Sequence, residues 1–491
     1  MALIKLDLPA GVYSNGTDYE SSGRWNNANL VRWQNNSIRP VGGWVTRVSN
    51  ATATTPRASH AWLDNSHDPH LAVATYDKLY SISYSGTVDD ITPAGFTAGL
   101  DDAAENISYG GKAFGTGSFG VTRPTDGVVQ EATTWQLDNW GEYLIGCSVD
   151  DGRLYEWDLV AAQAYQIPNS PVNCVGLVST EERFVFALGA GGNPRNIAWC
   201  NREDNTDWTP SVLNEAGDFE LQTDGELMCA ARIRGRTLIL TTRDAHIATY
   251  AGPPTVYGFE RVGSSCGIAS RKGLVSVSEG AFWMGRNNFF AFNGSSVSVM
   301  QCEVLDYVFN NINLQQVSKS FGVHNGRFGE IWWFYPSAGS TENDRYVVYD
   351  YQENIWSVGQ LSRTTGVDSG VFTTPIWFDA SGNSYNHETG NAYDGNLPWL
   401  ESGPINIANG DNVMHLTQMI PDELNQGDVT AIIKTRFYPN GQEREYGPYS
   451  MSNPTSLRAV GRQVRVRFTG NEYSNWRVGK MRLNVEQGGK R

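Results

Sequence analysis

From about residue 58 onward one pattern recurs along this chain: a short strand, a tight turn, a strand carrying an aromatic, a Gly- or Asp-centred turn, and another strand. HLAVATYDKLYSISYSGTVDDITP (70–93) shows it first, and DNWGEYLIGCSVDDGRLYEWDLVAAQAYQI (138–167) repeats it. The segments 172–210, 227–252 and 272–300 follow, with 318–361 the fullest unit and 369–388 the shortest. Units of roughly 35–50 residues with about four strands each are the pattern of β-propeller blades. Such a blade buries its faces only against neighbouring blades, and closing the ring removes most sheet edges. The expected fold is therefore all-β, a β-propeller with a C-terminal β-rich extension. Six or seven units can be counted; six blades are favoured because the shortest unit lacks a strand, and seven are possible. A chain of β-sandwiches is the rival architecture, but segments of about 100 residues separated by linkers are not visible.

The missing strand has a source near the start. SGRWNNANLVRWQNNSIRPVGGW (22–44) places Trp25, Trp33 and Trp44 among Asn and Gly, aromatic area that a loop seldom carries uncovered. Leu30, Val31 and Trp33 read as a strand completing the propeller. Arg39-Pro40 and Gly42-Gly43 then turn the chain so that Trp44 packs beside a blade. Trp25, further out, reads as a contact between subunits. The expected organisation is an N-terminal strap over 1–57, the propeller over 58–400 and a basic β segment over 401–491.

Composition agrees with short strands and tight turns: 16 Trp, 22 Tyr and 52 Gly in 491 residues. Helical spacing is visible only in 303–319, where Val304, Tyr307, Val308 and Ile312 recur. Six cysteines at 147, 174, 200, 229, 266 and 302 stand too far apart for any zinc spacing and read as small core residues of a chain made in a reducing cytosol. No apolar run approaches the roughly 18 residues of a membrane helix. The net charge of −15 is uneven: residues 430–491 carry 12 Lys/Arg against 4 Asp/Glu. The acidic remainder disfavours gripping nucleic acid, which needs clustered cations. In the tail, Val464, Val466 and Phe468 alternate with Arg465 and Arg467, and Met481, Leu483 and Val485 alternate with Lys480, Arg482 and Asn484. Two such strands are expected to form a hairpin with one apolar and one basic face.

Motifs of chemistry are sparse. GTGSFG (115–120) neither follows a clear strand nor opens a helix, so it reads as a surface loop. HDPH (67–70) lacks a third ligand, and the seven His are scattered. In SVDDGRLYEW, Asp150 and Gly152 read as turn formers. In YDYQENIW (349–356), Asp350 is expected to satisfy backbone donors while Trp356 packs between blades. No catalytic, cofactor or metal residues are assigned, and the chain is read as not an enzyme.

Together RWNNANLVRWQNNSIRPVGGW near the start, RDAHIATYAGPPTVYGFERVG (243–263) with GAFWMGRNNFFAFNG (280–294), and LESGPINIANGD with NWRVGKMRLNVEQGGKR at the end carry a resemblance. Over most of its length the chain resembles the tail nozzle (tail hub, or stabilisation) proteins of short-tailed, podovirus-type bacteriophages. The resemblance implies a structural virion protein: β-propeller subunits in a homohexameric ring at the distal end of the tail, assembled in the host cytoplasm. Such a ring lies below the adaptor and portal, docks a needle, tip or fibre protein, and retains and then releases genomic DNA without binding it specifically. An acidic lumen would let phosphate slide, and Glu203, Asp204, Asp207, Asp218 and Glu220 are candidate lumen acids. Arg465, Arg467, Lys480 and Arg482 would meet an acidic face of the next subunit or adaptor. A propeller-type receptor- or glycan-binding module is the alternative, since aromatic-rich blades suit sugar stacking.

Overall fold

The computed structural model describes residues 2–35, 37–108, 123–406, 412–451, 453–471 and 474–489, so the GTGSFG loop lies outside the described residues. Seven four-stranded antiparallel sheets follow one another along the chain, and we number them as blades 1 to 7. Their innermost strands are Pro56–Leu63, Trp135–Trp140, Gly176–Ser179, Leu227–Ile233, Leu274–Val277, Phe321–Asn325 and Thr365–Val367. Each innermost strand packs beside the next, and the seventh packs beside the first, which closes the ring.

The favoured count of six blades is thereby corrected to seven. The shortest repeat does lack a strand, but the N-terminal segment supplies it and makes the repeat a full blade. Trp44–Val48 lies against Ser384–His387, with Trp44 opposite His387 and Val45 opposite Asn386. The closing strand is thus Trp44–Val48. Val31–Gln34 instead pairs with Ser37–Pro40 in a hairpin of its own. Gly42 and Gly43 are needed here by close approach: a Cβ on Gly42 would meet Glu388, and one on Gly43 the backbone of Ala392.

The Trp-rich strands are explained by burial on both faces. In blade 6, all six residues of Glu330–Tyr335 are buried. Alternation along the strand sends neighbouring side chains to opposite faces. Trp332 therefore meets Trp377 of blade 7 at 5.3 Å between ring centroids, while Trp333 meets Phe289 of blade 5 at 5.0 Å. Asp350 accepts the Gln352 and Glu353 amides at 2.9 and 3.0 Å, and Trp356 packs on Phe289 at 5.0 Å.

Both chain ends build a second body. One sheet holds Trp25–Asn29, Trp399–Ser402, Gln463–Gly470, Val429–Arg436 and Arg444–Ser450, with Ile405–Asn406 added along Gln463–Gly470. The other holds Ala2–Leu6, Met481–Gln487, Met414–Ile420 and Thr455–Gly461. The expected hairpin is therefore not formed, since its two strands belong to different sheets. Their apolar faces meet across a sandwich, where Val464, Val466, Phe468, Met481, Leu483 and Val485 share one core. That core continues into blades 5 and 6 through Phe289, Trp333 and Trp356. The helical spacing over 303–319 yields only Leu305–Phe309 and a 3-10 turn at Val317–Lys319, because Asn310, Asn311 and Asn313 intervene. All six cysteines are buried and free.

Candidate functional site: the propeller channel

Ring closure leaves an axial cavity of about 320 Å³ to which all seven blades contribute. Side chains that point inward brace it from blade to blade. Gln136 Nε2 donates to the Met228 carbonyl at 3.0 Å, and its Oε1 accepts the Leu177 amide at 3.1 Å, so one amide joins blades 2, 3 and 4. Gly176 permits this, because a Cβ there would collide with the Gln136 amide. Asp138 accepts the Ser179 amide at 2.9 Å and pairs with Arg232 at 2.7 Å. Ser59 and Thr365 join blades 1 and 7 through their hydroxyls at 3.0 Å.

His60 holds Asn139 Oδ1 at 3.1 Å, and burial pushes its pKa below the ordinary histidine value. Its Nε2 therefore carries the proton of a neutral ring. Burial likewise pulls the Lys272 ammonium down, and among the described residues no carboxylate lies within 4.0 Å of it. Cys229 is pushed up to about 12 by burial and stays a thiol. Among the described residues no hydrogen bond links His60 to a hydroxyl or thiol, the contact that activates a nucleophile. No group of His, Cys, Asp and Glu among them suits a metal ion. What the channel offers is a small polar cavity lined by a buried lysine and by Arg232 and Arg271.

One mouth is bridged. Leu100 and Thr133, beside the start of blade 2, exchange bonds of 2.7 and 2.8 Å. Three residues on, Ala103 and Gln316, beside the start of blade 6, exchange bonds of 2.9 and 3.0 Å. Residues 100–103 thus form a chord across the end where the inner strands begin. Charge anchors it. The buried Lys319 ammonium reaches Asp102, Glu342 at 2.7 Å and the Thr341 carbonyl at 2.9 Å. Arg57 grips both Glu342 oxygens at 2.7 Å and Asp101 at 2.7 Å. Burial alone would raise the Glu342 carboxyl, but Arg57 and Lys319 hold it below its ordinary value.

The residues singled out from sequence fall elsewhere. Trp25, expected between subunits, is buried at 5% exposure within its own chain and meets Phe468 edge-on at 6.2 Å. That expectation is corrected: the indole covers the junction of sandwich and propeller. Trp33 is buried in the hairpin beside this junction, outside the closing strand. Trp44 does close the ring, donating from Nε1 to Asp394 at 2.6 Å and lying tilted against His387 at 5.4 Å between ring centroids.

The basic face is largely neutralised within the chain. Arg465 pairs with Asp18 and with Glu443 at 3.2 Å, and Arg467 lies 3.9 Å over Trp399 with Glu401 at 3.8 Å. Lys480 pairs with Asp7 at 2.9 Å. Of the four cations only Arg482 has no carboxylate within 4.0 Å among the described residues. Burial would raise Asp18, yet hydrogen bonds from Arg465 and Arg436 keep it below the usual carboxylate range.

The candidate lumen acids do not line the propeller's own channel. Asp218 and Glu220 lie on the outermost strand of blade 3, Gly217–Glu220, and Glu203, Asp204 and Asp207 lie in the loop that leads to it. Glu220 pairs with Arg195 at 2.5 Å, while Asp204 accepts from the Thr206 amide at 3.0 Å. Beside them Val212 and Leu213 are wholly exposed, a feature the sequence pattern alone did not mark.

No protein-family model matches this sequence, and no curated protein matches it. Among solved structures the chain is similar to the following. Virginiamycin B lyase from Staphylococcus aureus is 8% identical with a TM-score of 0.41, over 70% of this chain and 97% of that one. The Pan2 WD40 domain of Neurospora crassa is 10% identical with a TM-score of 0.40, over 72% and 95%. The N-terminal domain of Nup159 is 9% identical with a TM-score of 0.37, over 74% and 98%.

Proposed function

We propose that this chain is a structural subunit of a virion, the nozzle at the distal end of a short-tailed phage tail, and that six copies form its ring. The observation that carries the reading is the weave of both chain ends into one sandwich that shares a core with blades 5 and 6. Propeller and appendage thereby form one block, which suits a part that must hold its shape while genomic DNA is retained and released. The propeller's own cavity, at about 320 Å³, is far too small for a duplex whose major groove alone is about 12 Å wide. In this reading the DNA passes between subunits. The exposed Val212 and Leu213, in the blade 3 loop that also carries Glu203, Asp204 and Asp207, then suit a contact with a neighbour. The role is structural rather than catalytic, with the adaptor and portal above, a needle, tip or fibre protein below, and assembly in the host cytoplasm.

Negative-stain imaging and native mass measurement of the purified protein test the ring. Six-fold rings support the nozzle. A protein that stays monomeric at high concentration, and is absent from tails of the virions whose genome encodes it, overturns it. A propeller-type receptor- or glycan-binding module is the second reading, favoured by an open polar cleft of about 580 Å³ on blades 3 to 5. Glycan binding by the monomer would support it.

A further inference from the structure

That cleft lies on the face where the inner strands begin, between the turns of blades 3, 4 and 5. Arg243 comes from the turn between the second and third strands of blade 4, Arg261 from its outer strand, and Arg286 from the corresponding turn of blade 5. All three are exposed. Among the described residues none has a carboxylate within 4.0 Å, a side-chain hydrogen bond or an aromatic partner. By contrast, Arg32, Arg57, Arg153, Arg465 and Lys319 each hold a carboxylate. Two carboxylates line the cleft. Asp244 is buried and already accepts from the Thr223 hydroxyl at 2.8 Å and the Thr241 hydroxyl at 2.5 Å. Asp224 is exposed. Three free guanidiniums therefore outweigh one open carboxylate.

We propose that this cleft binds a phosphorylated small molecule, of the size of a sugar phosphate or mononucleotide. Guanidinium forks match phosphate oxygens in pairs. Ser264, Ser265 and Asn287 line the rest of the cleft with neutral donors and acceptors suited to hydroxyls. The volume of about 580 Å³ falls within the ordinary range of small-molecule sites. A long polyanion fits less well, because Glu220 stands at the rim on Arg195 and Asp218, Asp204 and Glu203 lie exposed beyond it. The proposal is independent of the nozzle reading.

Calorimetric titration of the full chain at low salt tests it, with glucose 6-phosphate, AMP and inorganic pyrophosphate as probes and glucose and adenosine as controls. The phosphates are expected to bind and the controls not. Arg261→Gln and Arg286→Gln should each weaken binding about tenfold, equivalent to losing one charge-assisted hydrogen-bond pair. Both positions are exposed, and an unchanged melting temperature identifies the loss as one of binding rather than folding. Phosphate binding indifferent to both substitutions overturns the site. So does silence toward all three probes at millimolar concentration, or binding confined to duplex DNA.

Discussion

Arg32 shows how much one side chain decides. Its guanidinium is buried at 6% exposure and holds Glu330 at 2.7 Å and Glu388 at 2.5 Å, with Phe328 stacked 3.6 Å away. Asn325 and the Gly42 amide add bonds to Glu388 at 2.9 and 2.8 Å. Burial pushes the Glu330 carboxyl up, and Arg32 offsets this only in part; for Glu388 the same burial is outweighed by Arg32 and its other donors, which hold it down. The N-terminal hairpin is thereby stapled to blades 6 and 7. Arg32→Ala leaves two buried carboxylates without their cation and should cost about 3–5 kcal/mol, read as a lowered midpoint in urea unfolding. Nothing in VRWQ announces this. An Arg between two apolar residues on a short strand reads as the solvent-facing member of an alternation, and its partners lie some 300 residues away in sequence.

His387 makes the closing blade sensitive to acid. Arg363 Nε donates to His387 Nε2 at 3.0 Å, the ring stacks on Trp377 at 4.1 Å, and burial followed by the Arg363 charge pushes its pKa well below the ordinary value. Arg363 is itself pulled down to about 10 by burial between Trp44 and Tyr385. A histidine neutral in the fold but free to protonate when unfolded stabilises above its unfolded pKa, about 6.5, and that stability is lost as pH falls below it. The slope should approach about 1.4 kcal/mol per pH unit for this one proton. Calorimetry between pH 5 and 8 checks it: His387→Gln should lose one proton's share of the slope, and His60 contributes in the same direction.

Among the strands, alternation proved a good guide to which face is apolar and a poor guide to what covers it. Gln463–Gly470 and Met481–Gln487 were correctly marked as one-sided, but two such strands can bury their faces as neighbours or across a sandwich, and local pattern is the same for both. The blade count failed for a related reason. A blade assembled from residues 365–387 and Trp44–Val48 has no contiguous signature. The repeats themselves, the closing role of the N-terminal segment and the turn chemistry of Asp350 were visible because each depends on neighbours in sequence. Burial now replaces position as the guide to the three N-terminal tryptophans. Trp25→Ala and Trp44→Ala should each lower stability by about 3–5 kcal/mol, as removal of a buried indole does. Equal shifts in urea midpoint would place Trp25 with the core, and a Trp25→Ala protein as stable as the parent would return it to an interface.

For the molecule as a whole, the basic tail has changed meaning. Arg465, Arg467 and Lys480 find their acids in Asp18, Glu401, Glu443 and Asp7, so three of the four cations of that basic face are neutralised within the chain. Reversing Arg465 and Arg467 to Glu should therefore first lower the melting temperature of the isolated chain, before any effect on assembly. A fragment of residues 49–491 lacks the seventh blade's outer strand and two strands of the sandwich. It should be cut by protease across blade 7 and the sandwich under conditions that spare the full chain.

The same weave sets an order in time. Residues 2–6, 25–29 and 44–48 leave the ribosome long before their partners at 481–487, 399–402 and 384–387. Through most of synthesis these first strands must wait with edges bare while six blades stack up beside them. Contacts so distant are slow to form and leave the growing chain open to mispairing. The protein is therefore committed late: until residues 365–387 emerge the ring stays an open arc, and until residues 399–487 follow the sandwich stays unbuilt, so a product stalled short of that point carries its own exposed edges as the sign that it is unfinished.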